Sequence, residues 1–249
     1  METKNEQKIK GDNNLQTNIT VSGDLNIGLQ RNDVINLIKE FCFTDKNQII
    51  DIVKEVIESI DVNNGKMPDK RVFVPLIQQL SYSLDDEYVK QAYKNLLKSS
   101  MEKSKTIHPS FVSIIGQLNS DEIKILNKLP PVTIHHIPLI NVRMKFGNKN
   151  QQGDGIMLIR YFSDIGYGIC EKPGNICAYL ENMERLKLIE IPPLKTLVEK
   201  SNYKHLKEHP YVINIINQNA KIENIEYEYD ELFFQLTDFG LQFFNACKE

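Results

Sequence analysis

Tryptophan is absent from this 249-residue chain, and cysteine is scarce and scattered, at Cys42, Cys170, Cys177 and Cys247. Cys170 and Cys177 are too far apart for the CxxC half of a zinc knuckle, and no histidine pair supplies the other half. The four are therefore expected to be reduced, mostly buried thiols in a cytoplasmic protein, with no metal or other cofactor. Long apolar runs are also missing. The stretch from Ile134 to Met144 is broken by His, Pro, Asn and Arg, and nothing approaches the roughly 20 residues that span a bilayer. The opening METKNEQKIKGDNN is polar throughout and has no signal-peptide core. No GxxxxGK[ST], GxGxxG, HExxH or GxSxG is present, so no catalytic site is expected. Charge of one sign is lacking too. With 30 basic and 33 acidic side chains the formal net charge is -3, which gives the whole chain little pull towards nucleic acid or an anionic membrane.

What remains is an ordinary globular composition, 41% hydrophobic and 25% charged, with two kinds of patterning. In residues 1–30, Leu15, Ile19, Val21, Leu25, Ile27 and Leu29 all fall on odd positions with polar residues mostly between them. That period of two places every apolar side chain on one face of an extended segment, with a turn at Ser22-Gly23-Asp24. Two short strands bury too little to stand alone. These six residues are thus candidates for joining chains into a homo-oligomer or capturing a partner; an unordered tail and docking on the chain's own body are the other readings.

From Arg31 the period becomes helical. A linker over residues 31–66 carries Val34, Leu37, Ile38 and Phe41. It then shows a clean stripe of Ile49, Ile52, Val53, Val56, Ile57 and Ile60, capped by Asp45 and ended by Val62-Asn63-Asn64-Gly65. Residues 67–130 read as a helical body. Its helices run from Val72 to Leu80 and from Asp85 to Met101, the latter with Tyr88, Val89, Ala92, Leu96 and Leu97 inward. Two more follow after Pro109 and from Ser120-Asp121-Glu122.

In residues 131–249 a helix from Asn175 to Leu186 runs into Leu188-Ile189-Glu190-Ile191 and stops at Pro192-Pro193. A long excursion, with its own helix around Tyr211 to Asn217, leads to a strand at Glu231 to Leu236 and a helix at Asp238 to Cys247. Helix, strand, excursion, strand, helix is the plan of a winged-helix domain with an enlarged wing. The fold class expected is mainly α (α+β): a helical body, a winged-helix-like C-terminal domain and a short N-terminal β segment. Winged helices often bind DNA. Here, however, the outer face of the 175–186 helix sets Glu181 and Glu184 beside Arg185 and Lys187, and it carries no Arg-Asn or Arg-Gln set at base-reading spacing. Nucleic acid contact through Arg185 and Lys187 is the alternative to a protein-binding wing. His135-His136, flanked by Ile134 and Ile137, is expected to be structural on a strand. The run from Glu223 to Glu231, with Ile225, Tyr227 and Tyr229 alternating, fits a solvated strand face better than a metal site.

Three stretches, LDDEYVKQAYKNLLKSSME, HPSFVSIIGQLNSDEIKILNKL and FFQLTDFGLQFFNAC, resemble in order and spacing the abortive infection alpha family of bacterial proteins. The likeness spans residues 67 to 248 and departs in carrying Tyr93 where the family pattern has a tryptophan. The resemblance implies defence against phage by impairing the infected host, with a phage or host protein as trigger or target. It hands over no catalytic residue, and an effector or toxin with an unrecognised activity stands as a further alternative.

Overall fold

A computed structural model describes residues 34–36, 46–61, 63–146, 155–219 and 224–248. The six apolar residues of the head, Leu15 to Leu29, lie outside them, as do Leu37, Ile38, Phe41, Cys42 and Asp45.

Helix α1 (Lys46–Glu58) buries Ile49, Val53, Val56 and Ile57. Helix α2 (Lys70–Ser81) opens at Asp69, whose carboxylate accepts the Arg71 N–H. Helix α3 (Glu87–Met101) opens at Asp86, which accepts from Tyr88 and Val89. Each acid satisfies amides that a helix N-terminus leaves unpaired. Helices α4 (Ser110–Ile115) and α5 (Ser120–Lys128) meet at a capping box: Asn119 accepts from Glu122 N–H while Glu122 accepts from Asn119 N–H. α3 is the axis of this layer, with Tyr93, Leu96, Leu97 and Met101 fully enclosed. Tyr88, expected inward, is instead 46% exposed. It lies in the first turn, beside the buried stripe, where the Lys124 ammonium stands 4.7 Å over its ring.

The remaining strands form one antiparallel sheet in the order β2-β1-β4-β3, from β1 (Ile137–Phe146), β2 (Ile156–Phe162), β3 (Ile189–Glu190) and β4 (Ile225–Leu236). β1 pairs along its whole length with β4, from Ile137 against Phe234 to Phe146 against Ile225. β4 is twice as long as the strand expected at Glu231 to Leu236, because the alternating Ile225, Tyr227 and Tyr229 belong to it. β1 buries Leu139, Ile140, Asn141 and Val142 in succession, so it lacks the alternation that marks a half-buried strand. His135 and His136 precede β1 rather than lying on it. Both are exposed, and the His136 ring rests 4.4 Å from that of Phe233. Between β1 and β2 the register slips, with Ile140 opposite Phe162 but Val142 opposite Ile159. The bulge is taken up at Tyr161, at φ 50, whose N–H donates to the buried Asn141 side chain at 2.8 Å.

Helix α6 (Ile176–Arg185) precedes β3. The excursion that follows holds a 3₁₀ turn (Lys200–Tyr203), α7 (Lys204–Lys207) and α8 (Pro210–Asn219); α9 (Asp238–Cys247) closes the chain. One hydrophobic core links all of these, running without a break from the helices through residue 130 into the sheet. The joint at 63–66 is fastened as well: Lys66 N–H donates to Met101 O and Lys103 N–H to Asn64 O, both at 2.8 Å. The fold is α+β.

Candidate functional site

The densest polar construction lies between α5 and α6. Asp121 is almost wholly buried, yet its carboxylate accepts from the backbone N–H groups of Glu171 (2.9 Å) and Lys172 (3.0 Å) and from the Tyr179 hydroxyl (2.9 Å). It also pairs with Lys124 at 3.2 Å. Burial alone would raise its pKa, but these four donors outweigh it and hold the carboxyl at about 2. Burial and Asp121 together push the Tyr179 phenol up to about 12. The next residue is the reverse case. Glu122 is buried, and that burial raises its pKa against the pull of the Asn119 N–H, the Asn182 amide and the Arg185 charge. Asn182 Nδ2 bridges Glu122 and the Gln117 carbonyl, at 2.8 and 2.9 Å. These contacts lock α6 against α5.

The outer face of α6 is spent on the chain itself. Glu181 pairs with Arg160 of β2 at 3.2 Å, and Glu184 accepts the Ile191 N–H at 3.2 Å. Arg185 donates to Asn182 Oδ1 and Gln117 Oε1. Lys187 stands in the left-handed region at φ 62. Leu188 N–H reaches Met183 O and Lys187 N–H reaches Glu184 O, each at 2.9 Å. That is the Schellman stop of a helix, with lysine in the place that glycine most often fills. Arg185 and Lys187 are both exposed, but the first braces the α4–α5 corner and the second ends α6.

α9 is seated on that same stop. Thr237 Oγ1 accepts the Gly240 N–H at 2.8 Å and donates to Lys187 O at 2.6 Å. A Cβ at Gly240 would lie 1.8 Å from Leu188 O, so only glycine lets α9 approach this closely.

The excursion between β3 and β4 is anchored at both ends. The fully buried Tyr203 accepts the Leu197 N–H at 2.8 Å. Lys200 and Lys207 both pair with Glu231 of β4; burial opposes the Glu231 charge, but the two ammonium groups prevail and keep its pKa low. Phe162 stacks on Tyr211 with ring centres 5.4 Å apart, and His209 packs edge-on to Tyr167 at 4.4 Å. On this anchored segment Leu194 and Val198 are 100% and 96% exposed.

The three quoted stretches converge on α3. Tyr93 donates to Val112 O of α4 at 3.2 Å, Ser120 Oγ donates to Asp86, and Asn95 donates to Cys247 O of α9 at 2.9 Å. Phe111 of α4 packs edge-on against Phe239 and Phe243 of α9 at 5.3 and 5.4 Å. The abortive infection alpha family model matches residues 45–247. The chain belongs to that family. No curated protein and no solved structure matches it.

The family match begins earlier than the resemblance at 67–248 and takes in all of α1, which buries its stripe in the common core. The features that define the family stretches here are contacts among α3, α4, α5 and α9, with Tyr93 filling its site completely. From the sequence, Asp121 and Glu122 read only as helix-start acids, because their tie to α6 is made by residues 50 to 60 positions away. The signal available was the adjacency of two acids to an asparagine cap. Gly240 carries no sequence signal of its role. Three described cysteines, Cys170, Cys177 and Cys247, are unpaired and half-buried; burial, with Asp121 nearby, pushes the Cys170 thiol up to about 11. Among the described residues no cluster of three or more His, Cys, Asp or Glu could hold a metal ion, and no helix is long and apolar enough to cross a membrane.

Proposed function

We propose that this member of the abortive infection alpha family protects bacteria against phage by binding a protein partner and assembling with copies of itself, rather than by catalysis. Family membership supports the defence role. We read the order α6, β3, long excursion, β4, α9 as a winged-helix-like plan with an enlarged wing, which Tyr203 and the pairs of Lys200 and Lys207 with Glu231 brace. The observation that carries the reading is the pair Leu194 and Val198. They are two fully exposed aliphatic side chains on a segment held down by Tyr203, Lys200 and Lys207. A rigidly presented apolar pair loses little conformational freedom on docking and suits a pocket on another protein.

Duplex DNA is the weaker partner for this wing. Glu181, Glu184 and Arg185 are engaged within the chain, and each acid near a phosphate opposes binding. The head would join chains through Leu15, Ile19, Val21, Leu25, Ile27 and Leu29. A chain lacking residues 1–30 is then expected to have a smaller mass in light scattering than the full chain, with the same melting temperature. An unchanged mass would sink the assembly role. Salt-sensitive duplex binding that disappears in Arg185→Ala and Lys187→Ala would replace the protein partner with DNA.

A further inference from the structure

The outer edge of β4 is open over half its length. β3 pairs with β4 only at Ile189 against Leu236 and Glu190 against Gln235. Its continuation along β4 is cut off by Pro192-Pro193, which have no N–H to give to a ladder. From Ile225 to Asp230, β4 is therefore paired by β1 alone. Among the described residues nothing hydrogen-bonds to the backbone groups that β4 turns away from β1 in this stretch. The register with β1 runs unbroken, so the edge lacks the bulge that commonly disables an exposed strand. The excursion meets β4 through side chains on one face, where Tyr227 donates to Ile216 O and the Lys207 ammonium stands 5.2 Å over the Tyr229 ring.

The two faces of this edge differ. One carries Ile225, Tyr227 and Tyr229, all half-buried. The other carries Glu226, Glu228 and Asp230, with Lys145 on Glu228 at 2.6 Å and Arg143 on Asp230 at 3.0 Å. Two copies of β4 paired edge to edge, with their sheet faces continuous, would bring these acids together, and like charges directly opposite destabilise a strand pair. The strand that fits is apolar on one side and free of acid on the other. Residues 15–21 and 25–29 have that pattern. In the second, Leu25, Ile27 and Leu29 alternate with Asn26 and Gly28, and neither run contains an acid. Extended, the two runs measure roughly 17 to 24 Å, against roughly 20 Å for 225–230. Residues 1–33 precede Val34, the first described residue and a fully buried one, and are long enough to carry both runs to a neighbouring copy.

We infer that the β4 edge at 225–230 receives a head strand from a second copy of the chain. The apolar side of that strand lies beside Ile225, Tyr227 and Tyr229, and its polar side beside the acids. Backbone hydrogen bonds hold the added strand, and its alternation sets the register. The site rests on the assembly through the head proposed for this chain and names where the head docks.

The test combines light scattering with amide hydrogen exchange on the full chain. A head variant carries Ile19→Asn and Ile27→Asn, an edge variant Tyr227→Lys, and a control Ile134→Lys at an exposed site off the sheet; each is first checked by thermal melting. The mass is expected to fall at least twofold in the head and edge variants and to hold in the control. Amides of 225–230 are expected to exchange at least about tenfold faster in the head variant than in the parent chain. A smaller mass in the head variant with unchanged exchange at β4 would overturn the docking site while leaving assembly through the head intact. Equal mass in parent and head variant would remove both. Protection of β4 in a parent that is monomeric would place the head on its own chain and overturn the inference. Loss of mass in the edge variant alone would overturn it in favour of β4 pairing with β4.

Discussion

Gly240→Ala is expected to leave most of the chain unfolded. The added methyl would stand 1.8 Å from Leu188 O, 2.7 Å from its carbonyl carbon and 3.0 Å from its Cα. All three are backbone atoms of the α6–β3 turn, already fixed by the Schellman bonds and by Thr237 N–H on Leu188 O at 3.1 Å. Relief requires α9 to lift away, and with it go Phe243, Phe244 and Ala246 from the core. The cost is about 4 kcal/mol or more, comparable with the whole stability of many domains. Gly116→Ala is the internal control. Its Cβ would meet the Tyr93 hydroxyl at 3.1 Å and the Gln79 side chain at 3.3 Å, with the Ser113 carbonyl oxygen at an ordinary 3.7 Å, and the helical backbone there favours alanine, so the change should stay within about 1 kcal/mol. Urea denaturation and soluble yield distinguish the two.

Asp121→Asn should be the costliest conservative change, at about 3 kcal/mol. It keeps the shape, but it removes the charge that four donors converge on and turns an amide N–H₂ towards backbone N–H groups. The pH dependence follows from the same geometry. The Asp121 pKa is lowered from its ordinary value of 3.8 to about 2. Its stabilisation is therefore complete above the ordinary value and is lost as pH falls towards 2. That difference is worth roughly 2 kcal/mol. Glu122 acts with the opposite sign: its raised pKa gives stability that is present at low pH and lost as pH rises through the folded value. In equilibrium unfolding followed against pH, the acid-side decline should be shallower in Asp121→Asn than in the parent chain. Parallel acid limbs would show that Asp121 is not the buried charge described here.

Much of the fold was legible because its helices obey simple rules. Asp69, Asp86 and Asn119 each stand where a polar cap precedes an apolar stripe, and α1, α2, α3, α6 and α9 fall within two residues of the spans their periodicity predicts. The sheet was only half legible. β4 announced itself by alternation, whereas β1, buried on both faces around Asn141, and β2, bulged at Tyr161, carry no period of two. The candidate site was less legible still. Arg185 and Lys187 stood out as charges on an outer helix face, but their roles depend on Gln117 and Thr237, which are distant in sequence. Leu194 gave no sign of being presented rather than buried, since a loop leucine beside two prolines fits either reading.

The central claim is tested most directly by challenging bacteria that express the chain with phage at low and at high dose and following culture survival. The account predicts protection at low dose and collapse of the culture at high dose, with protection lost when Leu194 and Val198 are replaced by serine in a chain that still folds. Survival at both doses, or no protection against any phage of a broad panel, would contradict it.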